Sequence, residues 1–203
     1  KFADQADVLV NARIAGDAVG ATKMDRPEWG GVNPANGEIY QTLTNNSNRR
    51  VDPSGSSQVA PDAANPRVYT DMKGSTAQLG NPNGHLLRMK EGAAGGSATS
   101  FTWDIYLFGA ESGADKGMVN ISSLTADQDF SSPDGLVFSP STGICWIQTD
   151  DGAYTDVTNC MMLAAIPGKV GDGAKKTLSY TKADGSKLDV ATNVGQAPTA
   201  STL

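Results

Sequence analysis

The sequence has few of the side chains from which proteins build nitrogen and sulfur metal sites. It contains one histidine and two cysteines, and it has no Cys-x-x-Cys pair, so nothing indicates a zinc motif. It has no apolar run approaching about 18 residues, the length that a membrane-spanning helix needs. Its net charge is −6 with no extended Lys/Arg run, which argues against nucleic acid or an anionic membrane as a partner.

Aromatic residues are also sparse, at 6% of the 203 residues, and hydrophobic residues make up 38%. Glycine and proline are frequent, with 23 and 10 copies. This composition fits an all-β protein with many loops better than a helix bundle. The chain starts at Lys1 without a recognisable signal region, as a processed or cut chain would.

The two cysteines, Cys145 and Cys160, flank a predicted hairpin whose turn is Asp150-Asp151-Gly152. A cross-strand disulfide would join them in an exported protein. Two buried thiols are the alternative.

The most informative stretch is residues 24–46, which predicts two short strands around a turn. Pro27 opens the first strand, Asn33-Pro34-Ala35-Asn36-Gly37 supplies the turn, and the second strand begins at Ile39. Arg26 and Glu28 are two residues apart, so they project to the same side of an extended chain. A cation and a carboxylate placed there could bind an anion and a metal.

The same pattern returns at residues 133–151, with Pro27 matching Pro133 at an offset of 106 residues. Further matches without any gap pair Glu28 with Asp134, Val32 with Phe138, Pro34 with Pro140, Gly37 with Gly143, Tyr40 with Trp146 and Thr44 with Asp150. Self-similar hairpins predict repeated sheet units, for which a β-propeller is the commonest architecture.

Taken in order, residues 4–20 predict a short N-terminal helix capped by Asp4. Strands at 84–90 and 99–108 would complete a first four-stranded unit, about 24–108, with a polar loop inserted at 45–83. A second unit, about 130–191, would contain strands at 135–140, 144–149 and 158–165 and a last one within 176–191, around the turn Ala183-Asp184-Gly185. The tail at 192–203 is expected to fray.

Two blades do not close a propeller, which needs at least about four. We therefore expect residues 1–203 to be part of a single, larger β-propeller domain. In a blade, the start of the first strand and the end of the second lie on one face. That face would gather oxygen ligands suited to calcium or magnesium and, for the carboxylates, to iron or manganese, namely Glu28, Asn45, Asn46, Asp134 and Asp150.

Each of these side chains also has an ordinary structural interpretation. An Asp after Pro at a strand start is often an Asx-turn residue, and Asp150-Asp151-Gly152 is typical of a solvated turn. Arg26 could belong to a structural ion pair, or offer its planar fork to a phosphate. His85, flanked by Leu86-Leu87, is expected to be a structural strand residue.

Several segments, in order and approximate spacing, resemble the PhoX family of bacterial alkaline phosphatases over roughly residues 3–165. The segments are Met24-Asp25-Arg26-Pro27-Glu28-Trp29, Leu43-Thr44-Asn45-Asn46-Ser47-Asn48-Arg49, Gly84-His85, Thr102-Trp103-Asp104, Phe130-Ser131-Ser132-Pro133-Asp134-Gly135-Leu136 and Trp146-Ile147-Gln148-Thr149-Asp150.

The resemblance implies a six-bladed propeller and a periplasmic or secreted phosphomonoesterase that uses calcium and iron. On that basis Arg26 matches a phosphate-contacting arginine, and Glu28 and Asp134 match metal-binding carboxylates. The family's iron-binding cysteine and a further acidic motif lie outside the matched region, and neither Cys145 nor Cys160 fits that cysteine. The resemblance therefore implies an interior fragment, inactive alone, whose fold the rest of the propeller completes.

Two other functions compete with a phosphatase. One is a non-catalytic, calcium-stabilised propeller module that binds a partner. The other is a lactonase-type propeller, in which a similar Pro-Asp-Gly turn also supplies a calcium ligand. The pair of Arg26 and Glu28 favours phosphate chemistry, because a lactone carries no dianion for an arginine to bind.

Overall fold

The computed structural model describes residues 1–150, 156–157 and 159–198. Its regular structure consists mainly of strands, as the composition indicates, with two short helices and one 3-10 turn at Gly95–Ser97. The described elements are α1 (Gln5–Val10), α2 (Ala12–Ala18), β1 (Pro27–Val32), β2 (Ile39–Leu43), β3 (Tyr69–Lys73), β4 (Thr76–Gly80), β5 (His85–Glu91), β6 (Phe101–Phe108), β7 (Pro133–Phe138), β8 (Cys145–Thr149), β9 (Met162–Ala165), β10 (Ala174–Thr181) and β11 (Lys187–Val194).

Most strands belong to two sheets. The larger sheet has the order β1-β2-β5-β6-β11-β10, and the smaller one has the order β7-β8-β9. Neighbours are antiparallel except β6 and β11, which run parallel and meet at Ile105 and Val194. The four strands predicted for the first unit are therefore consecutive neighbours in one sheet.

The structure corrects our prediction for the last strand of the second unit. We expected it within 176–191 beside the strand at 158–165. Instead, β10 and β11 form a hairpin that joins β6 of the larger sheet. The turn at Ala183-Asp184-Gly185 is where we expected it, with Gly185 at φ 84°, but periodicity alone does not tell which sheet a hairpin will join. We also expected the chain to fray from residue 192 onward. This is wrong for the first residues of that range, because Thr192 and Val194 are buried in β11.

The inserted segment at 45–83 also differs from our prediction. We expected a polar loop, but the segment contains regular structure and buried side chains. It contains the β3–β4 hairpin and two fully buried arginines, Arg49 and Arg67. Arg67 donates hydrogen bonds to the carbonyl oxygens of Gly109 (2.7 Å) and Val119 (2.8 Å), and its guanidinium lies 4.7 Å from the ring centre of Phe108. The buried guanidinium of Arg67 therefore attaches the segment to the larger sheet and the loop that follows it.

The N-terminal helix is divided in two. Asp4 caps α1 as predicted, with its Oδ1 accepting from the Asp7 N–H at 2.9 Å. Neither α1 nor α2 buries a residue, and Val10 is 84% exposed. Among the described helices, none has the length and apolar character needed to cross a membrane.

The two sheets pack on each other across a shared apolar core. Tyr40 of β2 lies against Tyr106 and Phe138 in edge-to-face contacts, with ring centres 5.3 and 5.1 Å apart. Residues of β7, β8 and β9 complete this core from the smaller sheet. A second core on the other side of the larger sheet is formed largely by β6, β10 and β11. Face-to-face packing fixes the relative position of the two hairpins that carry the candidate site.

The cysteines do not form the disulfide that the sequence allowed. Cys145 lies buried in β8, Cys160 is exposed before β9, and both are thiols. Burial raises the pKa of the Cys145 thiol to about 12. Antiparallel pairing of β8 with β9 agrees with the predicted hairpin, but its turn residues Asp151 and Gly152 lie outside the described residues.

Gly84, directly after the inserted segment, lies tightly against the backbone at the end of β2. Its φ is 63°, and a Cβ atom there would lie 2.1 Å from the Thr44 carbonyl oxygen and 2.3 Å from that of Leu43. Backbone atoms cannot move aside as a side-chain end can. Only glycine therefore fits between the end of β2 and the start of β5.

We expect Gly84→Ala to lower the free energy of unfolding by about 1–3 kcal/mol more than Gly185→Ala, the usual range for forcing extra atoms into a packed site. Gly185 is the matched control, since it has a φ of 84° but a Cβ atom added there would meet nothing within 4 Å. Both variants carry the penalty of a left-handed backbone, and only Gly84→Ala adds the steric clash. Urea unfolding measures the difference, and equal losses would contradict the close approach.

Candidate active site

The first hairpin is built as the sequence predicts. β1 and β2 pair antiparallel, with Val32 opposite Ile39 and Pro27 opposite Leu43. Gly37 closes the turn at φ 73°, and its N–H donates to the Asn33 carbonyl at 2.8 Å. The pairing has a bulge between Pro27 and Gly30. Arg26, just before the strand, adopts φ 51°.

The second hairpin repeats this backbone at the predicted offset of 106 residues. Phe138 pairs with Cys145, Pro133 pairs with Thr149, and a bulge again follows the proline. Ser132, the equivalent of Arg26, has φ 54°. The closing hydrogen bonds also match, from Thr44 N to Arg26 O at 3.1 Å and from Asp150 N to Ser132 O at 2.9 Å. The two hairpins are therefore copies in register, bulge and strand entry.

Two threonines of the first hairpin join it to the second. Thr42 Oγ1 donates to the carbonyl of Asp134 at 2.7 Å, and Thr44 Oγ1 donates to that of Pro133 at 2.8 Å. Both threonines are fully buried. Because these bonds reach the first two residues of β7, they bring the start of β7 beside the end of β2.

This packing gathers an arginine and carboxylates from both hairpins. Arg26 Nε donates to Glu28 Oε1 at 2.7 Å, and Arg26 Nη2 donates to Asp150 Oδ2 at 3.2 Å. The three side chains are partly open to solvent, with exposed fractions of 48%, 33% and 58% for Arg26, Glu28 and Asp150. We call this group, together with Asp134, the acidic cluster.

Asp134 experiences the charge of its neighbours. Burial raises the pKa of the Asp134 carboxyl above its usual value, and the negative charges of Glu28 and Asp150 raise it further, while Arg26 lowers it. The hydrogen bond to Glu28 raises the pKa of Arg26. One guanidinium therefore faces three carboxyl groups, and the local charge is negative.

The two asparagines predicted for this face do not both reach it. Asn46 turns away, since its Nδ2 donates to Asp25 Oδ1 at 2.7 Å and its backbone bridges to Asn81. Asn45 is half-buried after β2. Of the candidate residues, the structure brings together Arg26, Glu28, Asp134 and Asp150.

A buried network next to Arg26 was not predicted. Asp25 is fully buried and accepts from Arg49 Nε at 2.7 Å and from Asn81 Nδ2 at 3.0 Å. The network fixes the residue immediately before Arg26, whose own backbone conformation is uncommon. No local sequence pattern predicts these contacts, because the partners of Asp25 lie 21 to 56 positions along the chain.

The lone histidine is structural, as expected. His85 is fully buried; its Nδ1 accepts from Asn81 Nδ2 (3.1 Å), and its Nε2–H donates to the Ala64 carbonyl (2.7 Å). Burial lowers the pKa of His85 to about 4, so the ring is neutral near pH 7. With both nitrogens engaged, it is not placed to bind a metal.

The carboxylates of the acidic cluster are oxygen donors of the kind that calcium prefers and that iron also accepts. Carboxylate oxygens are ligands that calcium prefers, and the mutual repulsion at Asp134 would be relieved by a cation. Yet nowhere in the described ranges do three His, Cys, Asp or Glu side chains lie close enough together to hold a metal ion. Iron would find no suitable thiolate at Cys145, which is buried and protonated. Within the described residues, the acidic cluster therefore does not form a complete metal site.

Known proteins match most of this chain. The profile of the family described as alkaline phosphatase PhoX matches residues 1–200. A solved structure, Pseudomonas fluorescens PhoX in complex with vanadate, a transition state analogue, is similar with a TM-score of 0.65 and 31% identity. The match covers 95% of this chain and 29% of that chain. No curated protein sequence matches significantly. Because the family profile matches nearly the whole of this chain, the chain belongs to the PhoX family of alkaline phosphatases.

Proposed function

We propose that this chain forms part of a metal-dependent phosphomonoesterase that releases inorganic phosphate from phosphate esters. The observation that carries the proposal is the acidic cluster, in which Arg26, Glu28 and Asp150 are hydrogen-bonded at the ends of two equivalent hairpins. Family membership supports the reaction class. The chain spans 29% of the PhoX chain that it resembles, so the complete activity is assigned to a longer enzyme.

In this proposal Arg26 binds the phosphoryl group. Glu28 and Asp150 hold the guanidinium through Nε and Nη2 and so fix the plane of the fork. An arginine carries five N–H donors, and the remaining ones can contact two phosphoryl oxygens in parallel. These contacts would strengthen as negative charge develops in the transition state.

An ion pair kept only for stability is a weaker explanation of Arg26. Exposed ion pairs contribute about 0.2–1 kcal/mol, and a left-handed backbone at a residue with a side chain costs about 1–2 kcal/mol. Arg26 combines 48% exposure with φ 51°. Its two ion pairs together contribute about 0.4–2 kcal/mol, which leaves little net stability after the backbone strain and fits a residue placed for binding.

Glu28 and Asp134 would contribute oxygen ligands to calcium, with Asp150 at the same face. The cations implied by the family resemblance, calcium and iron, would supply charge neutralisation at the phosphoryl oxygens. The remaining ligands, including any thiolate for iron, would come from other parts of the enzyme. The carboxylates of this chain also orient Arg26, a role that does not depend on a bound ion.

The architecture and the cellular location are proposed on the same basis. We assign the β1-β2-β5-β6 sheet and the β7-β8-β9 sheet to two neighbouring blades of a six-bladed propeller that the rest of the enzyme closes. A periplasmic or secreted enzyme would meet the phosphate esters that a bacterium uses to acquire phosphate.

We expect Arg26→Lys in the complete enzyme to lower kcat/KM for phosphomonoesters by about 10- to 100-fold, the range for losing a hydrogen bond to a charged group. Lysine keeps the charge but cannot make the two parallel contacts. Steady-state kinetics measure the loss, and urea unfolding checks stability. Arg13→Lys, on the exposed surface of α2, is the matched control. An equally large effect on stability would show a structural ion pair instead.

We expect Glu28→Gln to abolish most activity while expression is retained, because glutamine keeps the shape but removes the charge that Arg26 and a cation need. Chelation with EDTA should likewise inactivate the unsubstituted enzyme, and added calcium should restore it less well in Glu28→Gln. Glu91→Gln, exposed at the end of β5, is the control. Wild-type activity in Glu28→Gln would remove Glu28 from the site.

The 203-residue chain by itself should hydrolyse phosphomonoesters poorly or not at all, and calcium should raise its melting temperature little. A ligand that binds the folded state at about 100 times its Kd would add about 2.7 kcal/mol, so a complete calcium site would be easy to detect. Differential scanning fluorimetry with and without calcium tests this. Robust activity of the isolated chain would refute the view that its site is incomplete.

A further inference from the structure

An open cavity of about 590 Å³ adjoins the acidic cluster. Asp134 and Asp150 line one part of it, and Trp29, Gly135 and Met162 line another. Its volume falls within the range of small-molecule sites, roughly 300–1,000 Å³. Asp150 also accepts from Arg26 Nη2 at 3.2 Å. The cavity therefore lies next to the carboxylate that is hydrogen-bonded to Arg26.

Trp29 is the large apolar side chain of this cavity closest in sequence to Arg26. Its side chain is exposed, at 56%, although its backbone is firmly held. The Trp29 N–H donates to Thr42 Oγ1 at 2.9 Å, and its carbonyl accepts from Gln41 Nε2 at 2.8 Å. Because Thr42 also bonds to Asp134, one buried hydroxyl sets the position of the tryptophan relative to the second hairpin.

The internal repeat has a glycine in the second hairpin where the first hairpin has Trp29. Gly135 occupies the position in the second hairpin that Trp29 occupies in the first, at the offset of 106 residues. A Cβ at Gly135 would lie 2.4 Å from Gln148 Oε1, so a side chain there would displace a wall of the cavity. The first hairpin therefore contributes the Trp29 ring to the cavity lining, and the second hairpin contributes a residue without a side chain.

We propose that Trp29 is a specificity-determining residue that stacks on the aromatic leaving group of an aryl phosphate. This inference rests on the proposed function, with the phosphate at Arg26. Arg26 is hydrogen-bonded to Asp150, and Asp150 and Trp29 line the same cavity. A phenyl phosphate held by Arg26 beside Asp150 would place its ring in this cavity, against Trp29.

The charge of the site selects the same substrate class. Asp134 and Asp150 line the cavity, and among the described residues Arg26 is the one cation paired with the carboxylates of Glu28 and Asp150 beside it. Carboxylates that a cation does not neutralise would repel a leaving group with further anionic groups, while a neutral ring would gain contact with Trp29 and Met162. The favoured ligands are therefore monoesters that carry a neutral aromatic alcohol.

Equilibrium binding tests the stacking without any turnover. Phenylphosphonate and methylphosphonate share the phosphoryl charge and differ by the ring, and neither is a phosphate ester. We expect the complete enzyme to bind phenylphosphonate about three- to tenfold more tightly by isothermal titration calorimetry, the range of an aromatic pair. The ratio should fall to about one in Trp29→Ala and Trp29→Leu and persist in Trp29→Phe.

Kinetics provide a second test. Trp29→Ala should lower kcat/KM for phenyl phosphate about three- to tenfold more than for glycerol phosphate, mainly through KM. Phe101→Ala removes an aromatic ring of similar exposure, 58%, at the start of β6 and should change neither ratio. If Trp29→Ala misfolds, Trp29→Leu retains apolar volume and still removes the ring.

The outcomes separate this inference from the proposed function. An unchanged phenyl-to-methyl binding ratio in Trp29→Ala and Trp29→Leu would overturn the role of Trp29 and leave the phosphatase proposal intact. Binding of both phosphonates without hydrolysis of any ester would overturn the phosphatase and retain the aromatic subsite. Binding of neither phosphonate would overturn both.

Discussion

A buried ion pair between Asp25 and Arg49 holds the part of the chain on which the candidate site depends. Both side chains are almost fully buried, and Arg49 Nε lies 2.7 Å from Asp25 Oδ1. Leaving one member of such a pair without its partner costs about 3–5 kcal/mol. That exceeds the roughly 1–2 kcal/mol of a left-handed residue. The buried pair therefore anchors the residue directly before Arg26, whose φ is 51°.

The same network connects the inserted segment to the site. Arg49, Asn46 and Asn81 all belong to residues 45–83, and each donates to Asp25. The segment is therefore a support for the entry to β1, which explains why so polar a stretch packs with buried side chains. A loop of this composition needs partners for its polar groups, and Asp25 together with backbone carbonyls supplies them.

Local chemistry explains what the sequence predicts well. Both hairpins follow from turn residues and strand propensities within about 20 positions, and their alignment at one offset predicts the shared register of Pro27 and Pro133.

Longer-range features were not predictable in this way. The hairpin of β10 and β11 joins β6 through a parallel contact between Ile105 and Val194, and no local period specifies that partner. Arg49 and Arg67 look like surface residues in the sequence because their partners are distant carboxylates and carbonyl groups.

The candidate site arises where the two copies of the repeat differ. Arg26 is matched by Ser132, and Thr44 is matched by Asp150, although the backbones coincide in register, bulge and φ. The first hairpin therefore supplies the cation and the second supplies its distal carboxylate, across a 3.2 Å contact. Neither hairpin contains this pair alone. Buried hydroxyl bonds from Thr42 and Thr44 fix the two copies side by side, so a repeated scaffold presents an unsymmetrical set of charges to one ligand.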